Sequence, residues 1–294
     1  MISICIPVYN IYVTELLQQL AKQVKEIDSK IEIILLDDGS DLIYKQQYQN
    51  LILRNYVSFY DFPLNKGRIE ARNTLANLAK NDWLLFIDAD SKIIHSNFLV
   101  SYIERCNIET DVLVGGRVYT PIPPRQCTKM LHWKYGSQRE RSTKGHFVFM
   151  TNNFCIRKSL FESIQFPIEM NGYGHEDTWL GIQLKKVNAR IVFFQNPVLH
   201  DGLEDAKVFI AKSKNALNNL KVLESLIDEA DLKKHVRLYK TYLFLRNLKL
   251  SSLFLLVAKN LNGIFFKNLI SCNASLKLFD IYRLFLFFNI NKKV

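Results

Sequence analysis

The 294-residue sequence contains no Cys-x-x-Cys pair. Its five cysteines, Cys5, Cys106, Cys127, Cys155 and Cys272, are scattered and odd in number. Neither a zinc framework nor a disulfide framework is indicated, and the thiols read as buried or incidental ones in a reducing compartment. No Gly-x-Gly-x-x-Gly follows the first apolar run and no P-loop signature occurs, which argues against dinucleotide oxidoreductases and P-loop NTPases. The tail has no apolar run of the roughly 18 residues a spanning helix requires; its longest uncharged stretch is Leu250 to Ala258, between Lys249 and Lys259. The chain enters Ile2-Ser3-Ile4-Cys5-Ile6 with no basic segment and long apolar segment ahead of it, so no signal peptide is expected and the protein is placed in the cytoplasm. Acidic residues are outnumbered 28 to 39, giving a formal charge of +11 and pointing to anionic partners: nucleotide diphosphates, nucleic acid or an anionic membrane face. The basic residues are dispersed and no nucleic-acid motif is present, so nucleic acid is set aside.

With 48% hydrophobic residues the chain can bury a large core, enough for one large domain or a domain with an appendage. Ile2 to Val8 and Ile31 to Leu36 are β-branched, apolar runs that read as strands. A helical spacing over Leu16, Leu17, Leu20, Ala21 and Val24 lies between them, with Thr14 as its expected N-cap. Val57 to Tyr60 is a third strand, the Ala71, Leu75, Leu78, Ala79 stretch a helix, and Trp83 to Ile87 a short, fully buried fourth strand. Strand alternating with helix predicts an α/β fold, a parallel doubly wound sheet with helices on both faces. Ligands of such sheets sit at the carboxyl ends of the strands. Here those ends carry Tyr9-Asn10, Asp37-Asp38 and Asp88-Ala89-Asp90.

Asp88 and Asp90 are two apart, so on extended backbone they point to one side. Two carboxylates at the end of a buried strand need something positive. One answer is a hard divalent cation that also holds phosphate; the other is a capping Asp beside an Asp paired with a Lys. Further on, Val112 to Tyr119 reads as a strand with a glycine bend, Phe147 to Ile156 as a strand broken by Asn152 and Asn153, and Ile191 to Phe194 as a buried strand. Arg139, Arg141, Lys144 and His146 read as a loop that closes over an anion or as a solvated basic loop. Glu176 and Asp177 open a helical spacing; they complement its dipole or bring a carboxylate to the crevice. His200 follows a short strand, where a lone His is usually a structural hydrogen-bonding residue. Beyond Tyr239, apolar clusters such as Leu284 to Phe288 alternate with Lys and Arg. They suit amphipathic helices lying on an anionic membrane, or a small helical subdomain that packs on itself.

Ile6-Pro7-Val8-Tyr9-Asn10, Leu36-Asp37-Asp38-Gly39-Ser40, Asn65-Lys66-Gly67 through Ala71-Arg72-Asn73, Asp88-Ala89-Asp90 and Glu176-Asp177 occur in the order seen in glycosyltransferase family 2, which the first 200 or so residues resemble. Gly172 to Asp177 followed by Asn196 to His200 is similar to the bacterial branch with a galactosyltransferase-like C-terminal segment; the tail beyond about Leu220 lies outside the resemblance. The resemblance implies the GT-A fold over 1–220; the apolar and basic clusters beyond it read as a helical, basic-amphipathic region over 221–294. The resemblance also implies transfer of a sugar from a UDP-sugar, with inversion, to a saccharide or lipid-linked acceptor in bacterial surface polysaccharide synthesis, on the inner face of the membrane. Position by position, it implies that Pro7, Tyr9, Asp38 and Arg72 surround the base and ribose, with Asp38 accepting from the uracil N–H. Asp88 lies near ribose and metal, in a DXD motif whose Asp90 binds Mn²⁺ or Mg²⁺ with His200; the imidazole favours Mn²⁺. Asp177 becomes the general base and Glu176 a neighbour orienting acceptor or donor sugar. Asn153 falls where related enzymes have a Gly-Gly-Asn-like turn near the donor sugar, although Thr151 and Asn152 replace the glycines. The competing readings are a sugar nucleotidyltransferase, for which a glycine-rich basic loop after the first strand is missing, and a non-catalytic membrane-binding protein with a sugar-nucleotide fold.

Overall fold

The structure is a computed structural model and describes residues 1–27, 30–51, 57–141 and 149–292. Its strands are β1 (Ile2–Val8), β2 (Ile31–Asp37), β3 (Val57–Asp61), β4 (Trp83–Ile87), β5 (Ser91–Ile93), β6 (Val112–Val114), β7 (Arg117–Val118), β8 (Asn153–Arg157), β9 (Ile191–Phe193) and β10 (Val198–His200). The helices are α1 (Thr14–Lys25), α2 (Leu42–Leu51), α3 (Arg68–Leu78), α4 (Phe98–Ile103), α5 (Met130–Tyr135), α6 (Lys158–Ser163), α7 (Glu176–Lys186), α8 (Ala206–Leu226), α9 (Glu229–His235), α10 (Arg237–Asn247), α11 (Ser251–Leu269) and α12 (Leu276–Lys292). The chain forms two compact units that interleave in sequence. The first comprises Met1–Thr120, Glu140–Ile168 and Gln183–Gly202; the second comprises Pro121–Arg139, Glu169–Ile182 and Leu203–Val294.

The first unit holds a seven-stranded sheet ordered β3-β2-β1-β4-β8-β6-β9. β3, β2, β1 and β4 run parallel, β8 runs against both β4 and β6, and β9 is parallel to β6. The period of two sorts the core. Ile2, Ile4, Ile6 and Val8 of β1, with Leu85 and Ile87 of β4, join Leu16, Leu17 and Leu20 of α1 and Phe98 of α4 in one cluster. Phe86, pointing the other way, stacks on Phe154 and meets Phe161 of α6. Both faces are therefore covered by helices, as the alternating pattern predicts.

Three local expectations change. Thr14 does not cap α1; it is the first helical residue, and its hydroxyl accepts a hydrogen bond from Gln47 Nε2 at 2.7 Å. β9 is not buried, because it is the last strand of the sheet, with Val192 and Phe193 open to solvent. The run over 112–119 splits into β6 and β7, which belong to different sheets. Residues 147 and 148 of the expected sixth run lie outside the described residues, as do Lys144 and His146 of the basic loop.

A second sheet in the first unit, β5-β10-β7, is small but decisive for the site. β10 runs antiparallel to β5 with His200 opposite Ser91, and parallel to β7 with Val198 opposite Arg117.

The second unit is helical. Leu131 of α5, Phe209 and Ile210 of α8, Leu269 of α11 and Phe279 of α12 form its core with Ala206 and Ala274. Arg139 makes a two-pronged ion pair with Asp280, both contacts 2.6 Å, so it is not part of a solvated loop. Cys127 and Cys272 are joined in a disulfide, where the sequence indicated unpaired thiols; the two lie 145 residues apart and only folding brings them together. Leu284, Phe287 and Phe288 of the last apolar cluster are buried, with Phe287 edge-on to Tyr242 and Phe288 beside Phe254. That cluster is core, and the solvent-facing apolar surface lies elsewhere in the unit.

Candidate functional site

The parallel arrangement of β1, β2 and β4 brings their carboxyl ends to one edge of the sheet, where Pro7, Tyr9, Asp38, Asp88 and Asp90 lie at or just beyond the strand ends. Pro7 is near the end of β1 and Tyr9 follows it, half exposed. Asp38 follows β2 and is buried; its carboxylate accepts the backbone N–H groups of Lys66 at 2.7 Å and Gly67 at 2.9 Å. Burial raises the Asp38 carboxyl above its ordinary value, with the two amide hydrogen bonds pulling the other way. Gly39, at φ +77°, lets the turn pass against the backbone of Leu64 and Asn65, where a Cβ has no room. The turn after β2 and the Asn65-Lys66-Gly67 loop are thus fixed to each other by a carboxylate and a glycine.

Asp88, just past β4, is the electrostatic centre. Arg72 Nη2 donates to its Oδ1 at 2.5 Å, and Arg117 Nη2 and Arg68 Nη2 lie 3.3 and 3.4 Å from Oδ2. Arg68 and Arg72 are four apart on α3 and share one helix face; Arg117 comes from β7. Arg117 also approaches Glu140 Oε2 at 3.4 Å, and the Tyr119 hydroxyl donates to the same oxygen. The three guanidiniums are matched by Asp88, Glu140 and the nearby Asp90, so the cluster is close to neutral and an anion entering it brings its own counter-ion.

Asp90 and His200 meet as the resemblance implies, with His200 Nδ1 3.3 Å from Asp90 Oδ2. Pairing of β10 with β5 produces this, because Asp90 immediately precedes Ser91, the partner of His200 in register. Gly202 packs onto the pair: a Cβ there would stand 3.0 Å from Asp90 Oδ2 and 3.3 Å from His200 Cε1. Asp90 Oδ1 is buried and has no hydrogen-bond partner among the described residues. Burial pushes the Asp90 carboxyl up, but the His200 imidazole, Arg117 and Arg68 outweigh it and hold the group below the usual carboxylate range. Among the described residues no cluster of three or more His, Cys, Asp and Glu side chains is set to hold a metal. An ionised, buried carboxylate oxygen beside an imidazole does fit a divalent cation that takes its other ligands from phosphate and water.

Asn153 does not fit its expected place at a donor sugar. It is fully buried, its amide hydrogens go to Gly116 O and Asn196 O, both at 2.9 Å, and its Oδ1 accepts from the Tyr102 hydroxyl at 2.7 Å. It is a joint of the sheet. The neighbouring Asn152 is also buried, yet neither its Nδ2 nor its Oδ1 has a hydrogen-bond partner among the described residues. Glu176 and Asp177 lie in the second unit on the first turn of α7, where the helix dipole favours carboxylates. Glu176 is buried and Asp177 partly so.

The family model described as Glycosyl transferase family 2 matches residues 3–165, more than half of the chain. The chain belongs to glycosyltransferase family 2. An uncharacterized glycosyltransferase of Haemophilus influenzae is 36% identical over 96 residues, covering 31% of this chain and 29% of that relative, so the match spans less than a third of either. Among solved structures, the mannosyltransferase PcManGT of Pyrobaculum calidifontis, in complex with GDP-Man and Mn²⁺, has a TM-score of 0.60 at 13% identity, covering 99% of this chain and 86% of that one. TarS of S. aureus gives a TM-score of 0.51 at 20% identity over 80% of this chain and 42% of TarS. The glucosyl-3-phosphoglycerate synthase of Mycobacterium tuberculosis, in complex with Mn²⁺, UDP and phosphoglyceric acid, gives 0.52 at 16% identity over 75% and 77%. At these identities the likeness is one of fold. The fold is GT-A, with a mostly parallel central sheet and additional C-terminal helices.

Sequence reasoning missed Arg68 and Arg117. Arg68 carried a usable signal, one turn ahead of Arg72 on the same helix face. Arg117 carried none, since a single Arg after Gly115-Gly116 shows nothing of which strand it will pair with.

Proposed function

We propose that the chain is a divalent-metal-dependent, inverting glycosyltransferase that moves a hexosyl or N-acetylhexosaminyl group from a UDP-sugar to a hydroxyl of a saccharide or lipid-linked acceptor in bacterial surface polysaccharide synthesis. Residues 1–220 form its catalytic portion. The observation that carries this reading is the convergence of Arg68, Arg72 and Arg117 on Asp88 beside the Asp90–His200 pair, at the carboxyl end of β4. Guanidiniums placed beside a carboxylate with an oxygen unpartnered among the described residues suit a nucleoside diphosphate that arrives with its counter-ion.

In this reading Asp38, held by the Lys66 and Gly67 amides, accepts from the base N–H, with Pro7 and Tyr9 beside the base. Asp88, aligned by three arginines, faces the ribose. Arg68 and Arg117 offset charge on the diphosphate as it leaves, and the free amide of Asn152 takes a donor-sugar hydroxyl. Mn²⁺ or Mg²⁺ held by Asp90 and His200 would supply Lewis acidity to the leaving diphosphate. Asp177 removes the proton of the acceptor hydroxyl as that oxygen bonds the anomeric carbon and the carbon–phosphate-oxygen bond breaks; Glu176 orients the sugar. One displacement inverts the centre without a covalent enzyme intermediate.

The M. tuberculosis enzyme of similar fold is in complex with UDP and the P. calidifontis one with GDP-Man, both with Mn²⁺, so the test covers both nucleotides. Thermal shifts are measured with UDP and GDP, with and without MnCl₂, followed by Mn²⁺-dependent nucleotide release from a panel of UDP- and GDP-sugars. Stabilisation by UDP that requires the metal is expected. No shift with any nucleoside diphosphate in Mn²⁺ would overturn the proposal.

A further inference from the structure

The second unit exposes an apolar surface that its own core does not use. α11 buries Leu255, Ala258, Phe265 and Leu269 along one side. The opposite side of a helix in a globular unit is ordinarily polar. Here it carries Leu253, Leu256, Val257 and Ile264, which are between 49 and 62% exposed. Their spacing of three, four and eleven residues from Leu253 puts them on one face. Leu248 and Leu250, in the turn ahead of α11, are exposed as well.

The charge within the segment that carries this face has one sign, and Glu229 of α9 meets it at Arg246, 3.4 Å away. From Arg237 to Leu269 the basic residues are Arg237, Lys240, Arg246, Lys249, Lys259 and Lys267, with no Asp or Glu among them, and all six are exposed. A second copy of the chain would bring like charges together, Lys249, Lys259 and Lys267 foremost, which opposes self-association. An anionic lipid surface satisfies both features at once: apolar side chains enter the headgroup boundary and the Lys and Arg side chains meet phosphate. Among the described residues no single helix is long and apolar enough to cross a membrane; α10 and α11 together have the composition but meet at a bend of 120°. That geometry suits lying on a bilayer.

We propose that the outward face of α11, with the Leu248–Leu250 turn, docks on an anionic lipid bilayer. The inference stands apart from the transfer reaction and has its own readout. The full chain is sedimented with vesicles of phosphatidylcholine alone and of phosphatidylcholine with about a third phosphatidylglycerol. Pelleting with the anionic vesicles is expected, weaker on neutral ones and reduced by salt. The Leu253→Ser/Leu256→Ser/Ile264→Ser variant should bind at least roughly tenfold more weakly. It should melt near the wild-type temperature, because these side chains contribute little to the core. Lys249→Glu/Lys259→Glu/Lys267→Glu should lose the preference for anionic lipid while keeping its fold. The proposal is overturned if the wild type stays in the supernatant with anionic vesicles, or if wild type and the triple-Ser variant pellet equally. It is also overturned if the wild type forms oligomers without lipid that the triple-Ser variant does not, since a second copy then covers the face.

Discussion

Arg72 Nη2 sits 2.5 Å from Asp88 Oδ1 with the arginine side chain 1% exposed, and the same guanidinium reaches Thr151 O at 3.4 Å. Both contacts are made by Nη2, at the far tip of the side chain, and a lysine, with its compact ammonium in place of the planar guanidinium, does not reproduce that reach and shape in a buried place. Arg72→Lys is therefore expected to destabilise the protein, by about 2–4 kcal/mol. The figure lies toward the low side for a broken buried pair because Arg68 and Arg117 still face Asp88. Urea unfolding of the two proteins measures it, and a variant as stable as wild type would show that the pair is not structural.

Asp177→Asn removes a carboxylate without changing shape. If Asp177 takes the acceptor proton, turnover falls about 10²–10⁴-fold while UDP binding in Mn²⁺ is unchanged. Rate and nucleotide titration are measured on one preparation; near wild-type turnover removes the assignment.

Gly202→Ala places a methyl group 3.0 Å from Asp90 Oδ2 and 3.3 Å from His200 Cε1. Displacing either group misaligns the pair, so the Mn²⁺ concentration for half-maximal UDP stabilisation should rise roughly tenfold or more, as for residues that orient metal ligands. An unchanged Mn²⁺ requirement would place the metal elsewhere.

Asp111 accepts Arg190 Nε at 2.9 Å and Arg190 Nη2 at 2.8 Å. The side-chain hydrogen bond from Arg190 holds its carboxyl at about 2, against an ordinary 3.8. The folded protein keeps this carboxylate charged where the unfolded chain takes up a proton, so its contribution is complete above pH 3.8 and is lost as pH falls towards 2. The melting-temperature difference between wild type and Asp111→Asn should be flat above about pH 5 and shrink below pH 4. A constant difference down to pH 2 contradicts this.

The Cys127–Cys272 bond closes a loop of 145 residues in the second unit. Reduction, or Cys127→Ser, should lower stability by about 2–5 kcal/mol. Peptide mapping without reductant identifies the bond, and melting with and without reductant gives its effect. Identical melting in both conditions would mean that the bond adds nothing.

The first hundred residues were legible because β-branched runs such as Ile2–Val8 and Ile31–Asp37 alternate with helical spacing, and because a carboxylate directly after a buried strand is too costly to be idle. Asp38, Arg72, Asp88, Asp90 and His200 were singled out from those strand ends together with the family resemblance, and the structure brings Arg72 to Asp88 and His200 to Asp90. What escaped depends on pairings that sequence does not encode locally. Asn153 was expected at the donor sugar from the resemblance to a Gly-Gly-Asn-like turn, and the same position here serves a residue that joins Gly116 to Asn196. β9 looked buried because its composition is apolar, although it is an edge. The partners of Cys127 and Arg139, Cys272 and Asp280, lie more than a hundred residues away and carry no local mark.

His200 faces Ser91 across an antiparallel ladder only three residues long. With a period of two, such a ladder stores one binary choice: whether the imidazole lies on the side of Asp90 or on the other. A slip of β10 by one residue along β5 would switch that choice, and a slip of two would keep the face but carry the imidazole roughly 7 Å along the strand. The Asp90–His200 pair therefore depends on the register of this ladder being held at one setting.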